Sequence, residues 1–106
     1  MSNTPVVFHL EEDEHFAHEL ASSMHWKQGQ VDFHTFPDGE TSIQLQSRVK
    51  EADVYLVANL HQPDAKLIKL IFFAEAVRAN GAIRVILIAP YLSYLRLDEI
   101  RSTGQG

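Results

Sequence analysis

The sequence contains no cysteine, few basic residues and no long apolar run. The lack of cysteine excludes disulfides and thiolate-bound metals, and it is compatible with a cytoplasmic location, which we predict. Nine Lys and Arg residues stand against 14 Asp and Glu residues, which leaves a net charge of −5. Because nucleic-acid surfaces need clustered Lys and Arg, we predict no nucleic-acid partner. No apolar stretch approaches the roughly 20 residues of a membrane span, and residues 1–5 lack the features of a signal peptide, so we predict no membrane partner.

The length of 106 residues corresponds to one domain. A chain of this size can bury roughly two-thirds of its unfolded surface and therefore form a true core. The composition, 45% hydrophobic and 22% charged, is ordinary for a globular protein. We predict one α/β domain over residues 1–98, followed by a frayed tail over residues 99–106.

Two apolar runs, residues 54–58 and 85–89, are rich in β-branched side chains and show no alternation with polar residues. This is typical of parallel strands that are covered on both faces. The segment between the runs is long enough for a helix and far too long for a hairpin. The pattern therefore predicts a βαβ unit with a right-handed crossover, in a mostly parallel sheet flanked by helices.

The connecting helix has clear boundaries in the sequence. Pro63 prevents helix before it, Asp64 is a candidate N-cap, and Asn80-Gly81 allows a left-handed end. Residues 67–74 are apolar around nearly the whole helix, which exceeds the ~100° stripe that packing on one sheet face requires. Either another subunit or domain covers the excess apolar surface, or a neighbouring helix of the same chain does.

The amino-terminal region predicts a strand followed by an amphipathic helix. Residues 6–10 form the strand, and the helix spans about residues 12–24, with one apolar face made by Phe16, Ala17, Leu20, Ala21 and Met24. His15 and His18 lie one turn apart beside glutamates, a spacing that permits a metal site. A solvated polar face explains the same residues, and we predict no metal site.

Residues 31–36 and 41–46 alternate between apolar and polar side chains, and Pro37-Asp38-Gly39-Glu40 lies between them. The alternation is typical of half-exposed strands, and the Pro-Asp-Gly sequence favours a turn. We predict a protruding hairpin or loop around residues 33–45. A turn of this kind is, on its own, a purely structural feature.

A loop over residues 90–98 follows the second strand of the βαβ unit, and residues 59–62 follow the first. In open α/β sheets, ligands bind beyond the carboxyl ends of the strands, where both segments emerge. Arg96 is a candidate phosphate ligand, because its guanidinium offers forked, permanently charged donors. A surface Arg near a chain end is an equally good interpretation from position alone.

Three segments occur in a fixed order: Phe36-Pro37-Asp38-Gly39-Glu40-Thr41, residues 54–58, and Pro90-Tyr91-Leu92-Ser93-Tyr94-Leu95-Arg96-Leu97-Asp98. In order and spacing they resemble the amino-terminal half of the phosphoribosyl pyrophosphate synthetases, also called ribose-phosphate pyrophosphokinases. The resemblance extends over nearly all of residues 6–98. It implies a phosphoribosyltransferase-like α/β fold and a subunit made of two similar domains.

The resemblance also implies an activity, the transfer of the β,γ-diphosphoryl group from Mg-ATP to the 1-hydroxyl of ribose 5-phosphate in a homo-oligomer. By position, Phe36 would stack on adenine, and Asp38 and Glu40 would hold its amino edge in the ATP site of a neighbouring subunit. Arg96 would lie against the ATP phosphates, with Asp98 beside it. The resemblance places no catalytic residue and no metal ligand within this chain, and Mg²⁺ would enter with ATP.

Two departures from the family lie beside the phosphate motif. Leu97 replaces the usual Gln, and Glu99 puts a negative charge where the family continues with basic residues and a Phe. No stretch resembles the metal-binding His, the flexible catalytic loop or the ribose-phosphate loop of the family's second half. We therefore predict the ATP-binding half of a ribose-phosphate diphosphokinase, as a fragment or truncated form that is not catalytically competent alone. The alternatives are a non-catalytic nucleotide-binding or regulatory domain that associates with synthetase subunits, and a flavodoxin-like domain of unrelated function.

Overall fold

The computed structural model describes residues 5–60 and 63–90. The strands are β1 (Val6–His9), β2 (Lys27–Gln28), β3 (Val31–Thr35), β4 (Thr41–Leu45), β5 (Asp53–Val57) and β6 (Arg84–Ile88). The helices are α1 (Glu14–Met24), preceded by a 3₁₀ turn over Glu11–Asp13, and α2 (Pro63–Ala79). Of the helices in these ranges, none combines the length and apolar character needed to cross a membrane.

A parallel sheet with the strand order β2-β1-β5-β6 forms the centre of the molecule. The βαβ unit predicted from the two apolar runs is confirmed, because β5 and β6 pair in parallel from Asp53 opposite Arg84 to Val57 opposite Ile88. At the start of this pairing, the Arg84 Nε and Nη2 atoms donate to the two Asp53 carboxylate oxygens at 3.2 and 3.1 Å. This forked ion pair joins the first residues of the two strands.

The two core strands differ in how well their faces are covered. β5 is buried at four of its five residues, as expected for a central parallel strand. β6 has no strand beyond it in the described ranges, and its Leu87 and the preceding Ile83 are exposed. The prediction that both faces are covered is therefore confirmed for β5 and only partly met by β6, whose Val85 and Ile88 pack against the two core clusters while Leu87 stays exposed.

The helices pack on opposite faces of the sheet. β1 contributes side chains to both faces, because successive residues of a strand point to opposite sides. Val7 packs with Ala17 and Ala21 of α1, whereas Phe8 packs with Phe73 of α2. The Phe8 and Phe73 rings meet edge to face, with 5.1 Å between their centroids. The sheet flanked by helices, as predicted, is thus held by two separate apolar clusters.

The ends of the helices depart from the predictions in small ways. α2 begins at Pro63, so Asp64 lies within the first turn and the prediction that it caps the helix is wrong. Proline suits the first helical position, where its missing N–H would have no partner. α2 ends at Ala79, and Gly81 has the expected positive φ of +97°.

The predicted apolar face of α1 is only partly buried. Ala17 and Ala21 are buried and Leu20 is half-buried, but Phe16 and Met24 are exposed. Phe16 lies 100° around the helix from Ala17, at the margin of the packed face, and Met24 is the last helical residue. The prediction of one continuous apolar face is therefore wrong at these two positions.

Strands β3 and β4 form a separate antiparallel hairpin, as predicted, with Val31 opposite Leu45 and Thr35 opposite Thr41. The inward side chains Phe33 and Ile43 pack against the core cluster that contains Phe73. The base of the hairpin is thus attached to α2, while its tip is exposed from His34 through Glu40.

Candidate functional site

The tip of the hairpin is a closed turn made by Phe36–Glu40. The Gly39 N–H donates to the Phe36 carbonyl at 2.8 Å, and the Phe36 N–H donates to the Glu40 carbonyl at 2.7 Å. Pro37 stands at the second turn position and Gly39, with φ +92°, at the fourth, where these residue types are favoured. The Asp38 Oδ1 atom accepts the Glu40 N–H at 3.1 Å. The sequence therefore builds a defined loop with its own internal hydrogen bonds.

Phe36 is the aromatic residue of this loop, and it is not part of the core. Its side chain is 43% exposed, and its ring contacts the His34 ring edge to face at 4.3 Å between centroids. Neither of the core clusters includes it. The structure thus leaves a large apolar ring at the surface, held by a neighbouring aromatic residue.

Asp38 and Glu40 are the two acidic residues of the same turn. Both residues are exposed, and neither forms an ion pair with any residue in the described ranges. Ionised carboxylates only accept hydrogen bonds, so these oxygens suit N–H donors of a ligand. A short loop that carries an exposed aromatic ring and two carboxylates has the groups needed to take a flat ring that bears an amino group.

A second polar cluster lies at the carboxyl end of β1 and β5. Asp13 and Asn59 are only 6% and 7% exposed. Asp13 accepts from the Asn59 backbone N–H at 3.3 Å and from its Nδ2 atom at 3.0 Å. The Lys66 ammonium of α2 donates to Glu12 Oε2 at 2.6 Å, to the Asn59 carbonyl at 2.7 Å and to Asn59 Oδ1 at 3.0 Å. The cluster ties the ends of two strands to the first turns of α2.

Sequence reasoning missed Asp13 and Lys66 as members of this edge. A signal was present, because polar residues that follow neighbouring parallel strands meet at the same sheet edge. The segment containing Asn59 was assigned to that edge, and Asp13 likewise follows the end of a parallel strand, β1. Lys66 carried no comparable signal, since a lysine in the first turns of a helix usually faces solvent.

The structure describes three of the five predicted ATP-binding residues. Phe36, Asp38 and Glu40 lie together on the hairpin tip. Arg96 and Asp98 lie outside the described residues, as do the rest of the 91–98 loop, the predicted tail and residues 61–62.

No group of three or more His, Cys, Asp or Glu side chains within residues 5–60 and 63–90 is arranged to hold a metal ion. His15 and His18 contact different residues, with His15 Nε2 at 3.4 Å from Glu19 Oε2 and His18 Nδ1 at 3.3 Å from Gln28 Oε1. The two histidines are thus spread along a polar face.

Comparison with known proteins gives consistent results. Residues 5–105 match the family model described as the N-terminal domain of ribose phosphate pyrophosphokinase. The chain is 39% identical over 72 residues to the ribose-phosphate pyrophosphokinase of Saccharolobus solfataricus, which covers 67% of this chain and 25% of that protein. It is 37% identical over 84 residues to the chloroplastic ribose-phosphate pyrophosphokinase 1 of Arabidopsis thaliana, covering 78% of this chain and 21% of the relative. The chain therefore spans about a quarter or less of the length of these relatives.

A solved structure shows the same fold. The crystal structure of phosphoribosylpyrophosphate synthetase from Mycobacterium smegmatis superimposes with a TM-score of 0.74 and 19% sequence identity. The match covers 92% of this chain and 33% of that one. The phosphoribosyltransferase-like fold expected from the sequence is thus confirmed.

Proposed function

Because this chain belongs to the family of N-terminal domains of ribose phosphate pyrophosphokinases, we propose that it forms the ATP-binding half of a ribose-phosphate diphosphokinase. The family match also removes the flavodoxin-like domain of unrelated function as an interpretation. The reaction proposed for the complete enzyme is diphosphoryl transfer from Mg-ATP to the 1-hydroxyl of ribose 5-phosphate, a step in nucleotide biosynthesis. Such transfer depends on positioning and charge neutralisation from several elements. We therefore expect no turnover from these 106 residues alone.

The exposed ring of Phe36 is the observation that carries the proposal. A ring needed for packing would be buried, whereas this one is 43% exposed on a loop with its own hydrogen bonds. In the proposed site, Phe36 stacks on the adenine of ATP, and Asp38 and Glu40 accept from its exocyclic amine. Because the loop protrudes from its own chain, we propose that it serves the ATP site of a second copy, which makes the protein a homo-oligomer.

The phosphates of ATP are assigned to Arg96, with Asp98 beside it. A guanidinium can neutralise charge on the transferring group through paired donors. Mg²⁺ is proposed to enter with ATP, since it retains several waters and binds phosphate oxygens readily.

A non-catalytic alternative is supported by two sequence positions. In the proposed site the Leu97 side chain could form no hydrogen bond beside the phosphates, and Glu99 would add a negative charge near them. Both features would suit a nucleotide-binding or regulatory domain that associates with synthetase subunits. An AMP-release assay that mixes this chain with an active synthetase tests this alternative. A regulatory domain changes the rate of AMP release, and an unchanged rate would contradict the alternative.

The direct test is an ATP titration of the wild-type chain and of two matched variants. Phe36→Ala removes the proposed platform, and Phe16→Ala removes a phenylalanine of nearly equal exposure, 45%, on α1. Base stacking on an aromatic ring contributes about 1–3 kcal/mol, so Phe36→Ala should weaken ATP binding about 5- to 150-fold. Phe16→Ala should leave it unchanged. Equal ATP affinity in the two variants would contradict the proposed role of Phe36.

A further inference from the structure

The outer side of α2 carries an apolar surface that the described residues leave open. Leu67, Ile68 and Ile71 are 50%, 50% and 54% exposed. Phe73 and Val77, on the opposite side of the same helix, are fully buried against the sheet. The hairpin packs along a different side, where the Lys69 ammonium lies 5.7 Å from the centre of the Phe33 ring. Three large aliphatic side chains therefore form one exposed patch.

Charged residues complete this surface, which we call the α2 stripe. At 100° per residue, one face of the helix presents six exposed residues: Asp64, Leu67, Ile68, Ile71, Glu75 and Arg78. Asp64 lies in the first turn and Arg78 in the last. Neither forms an ion pair with any other residue in the described ranges. The stripe thus has an apolar centre, an acid at one end and a base at the other.

The two end charges of the stripe are placed symmetrically about Ile71, with Asp64 and Arg78 equally far along the helix on either side. At 1.5 Å per residue, each charge lies about 10 Å from Ile71 along the axis. We infer that the α2 stripe is the contact between two copies of this chain, paired antiparallel about a two-fold axis beside Ile71. Ile71 then meets its own counterpart, and Asp64 lies opposite Arg78 of the second copy at both ends.

Charge determines the direction of the pairing. In a parallel arrangement, Asp64, Glu75 and Arg78 would each face an identical charge in the other copy, which is unfavourable for all three. The antiparallel arrangement replaces the repulsion at both ends with two ion pairs. Glu75 then lies at the level of Leu67 of the second copy, where its carboxylate can reach solvent at the edge. A two-fold contact needs a self-complementary surface, and the apolar centre and oppositely charged ends of the stripe have this property.

A patch of three aliphatic side chains is small compared with obligate interfaces, which bury ~2,000 Å² or more. We therefore expect a reversible dimer, formed at micromolar or higher concentrations. The inference rests on the homo-oligomer of the proposed function and adds where the copies meet. It concerns assembly without nucleotide, so its tests contain no ATP.

Cysteine cross-linking tests the two-fold axis, because the natural chain contains no cysteine. Ile71→Cys places a thiol on the axis. Ile83→Cys is the matched control, since Ile83 has nearly the same exposure, 53%, and lies outside the stripe. Association raises the effective thiol concentration, so the Ile71→Cys chain should form disulfide dimers at least about tenfold faster than the control. Equal rates of disulfide formation in the two variants would overturn the inference. Equal rates are also what we expect if another segment of the chain or a different protein covers the stripe.

A mixing experiment tests the direction of the helices. Chains with Asp64→Cys or Arg78→Cys are oxidised separately and as a mixture. The antiparallel pair predicts disulfide dimers in the mixture and few in either chain alone, because identical positions are then about 20 Å apart along the axis. Cross-linking of each chain with itself but not with the other would show a parallel contact and overturn the arrangement. Failure of either cross-linking test leaves the Phe36 titration unaffected, so the two proposals fail separately.

Discussion

Removing the Asp13 carboxylate should destabilise the domain substantially, because Asp13 joins the ends of β1 and β5. The side chain is buried and accepts two hydrogen bonds from Asn59, at 3.3 and 3.0 Å. Hydrogen bonds to a charged group contribute about 1.5–3 kcal/mol each, although the longer bond lies at the low end. Asp13 also precedes the first turn of α1, where a negative charge contributes about 0.3–1 kcal/mol. Because the contributions of the hydrogen bonds and of the helix dipole are not fully additive, we expect Asp13→Ala to lower the free energy of unfolding by about 2–3 kcal/mol.

Thermal unfolding followed by circular dichroism measures this effect. For a domain of this size, about 2–3 kcal/mol corresponds to a fall in Tm of about 10–20 °C. Asp13→Asn keeps one acceptor oxygen and should fall between wild type and Asp13→Ala. Asp32→Ala is the matched control, since Asp32 also accepts one amide N–H, from Gln46 at 2.6 Å, but is exposed. That control should change stability by less than about 0.5 kcal/mol. Similar Tm values for Asp13→Ala and Asp32→Ala would refute the importance of the buried cluster.

Three further outcomes follow from the same structure. Gly29→Ala should destabilise by about 1–3 kcal/mol, because its Cβ would lie 2.5 Å from Cζ of the buried Phe8 ring, and an unchanged Tm would contradict this close packing. Phe36→Ala should leave Tm within a few degrees of wild type, since the ring is largely outside the core; a large fall in Tm would identify Phe36 as a packing residue. The chain alone, with Mg-ATP and ribose 5-phosphate, should release no AMP in a coupled assay, and measurable turnover would show that it carries a complete active site.

Local sequence patterns were sufficient to predict most of the fold. The βαβ unit followed from two apolar runs separated by a helix-length segment, and the hairpin followed from alternation around Pro37-Asp38-Gly39. In each case the sequence signal lies within a few neighbouring residues. The glycines at positions 39 and 81 are examples, since both adopt the positive φ that glycine permits. The boundaries were less accurate, because the choice of Pro63 or Asp64 as the first helical residue depends on one turn of backbone.

The remaining features depend on contacts between distant parts of the chain. An apolar run does not reveal whether its strand is central or outermost, so β6 was expected to be as buried as β5. The buried cluster was missed because Glu12 and Asp13 form it with Asn59 and Lys66, more than forty residues later. The hairpin residues were assigned a ligand through family resemblance. The structure adds that Phe36 is exposed, and the ATP-binding roles of Phe36, Asp38 and Glu40 remain predictions.

Selectivity between ATP and inosine triphosphate tests the adenine site most directly, because inosine carries a carbonyl where adenine has its amino group. If Asp38 and Glu40 accept from that amine, the wild-type chain should bind ATP about 5- to 150-fold more tightly than inosine triphosphate. Asp38→Asn with Glu40→Gln keeps the Asp38 oxygen that closes the turn at 3.1 Å and supplies donors for a carbonyl. The double variant should therefore lose most of the preference for ATP. Equal affinity of the wild-type chain for both nucleotides, or a preference that the double variant retains, would contradict adenine recognition by the hairpin.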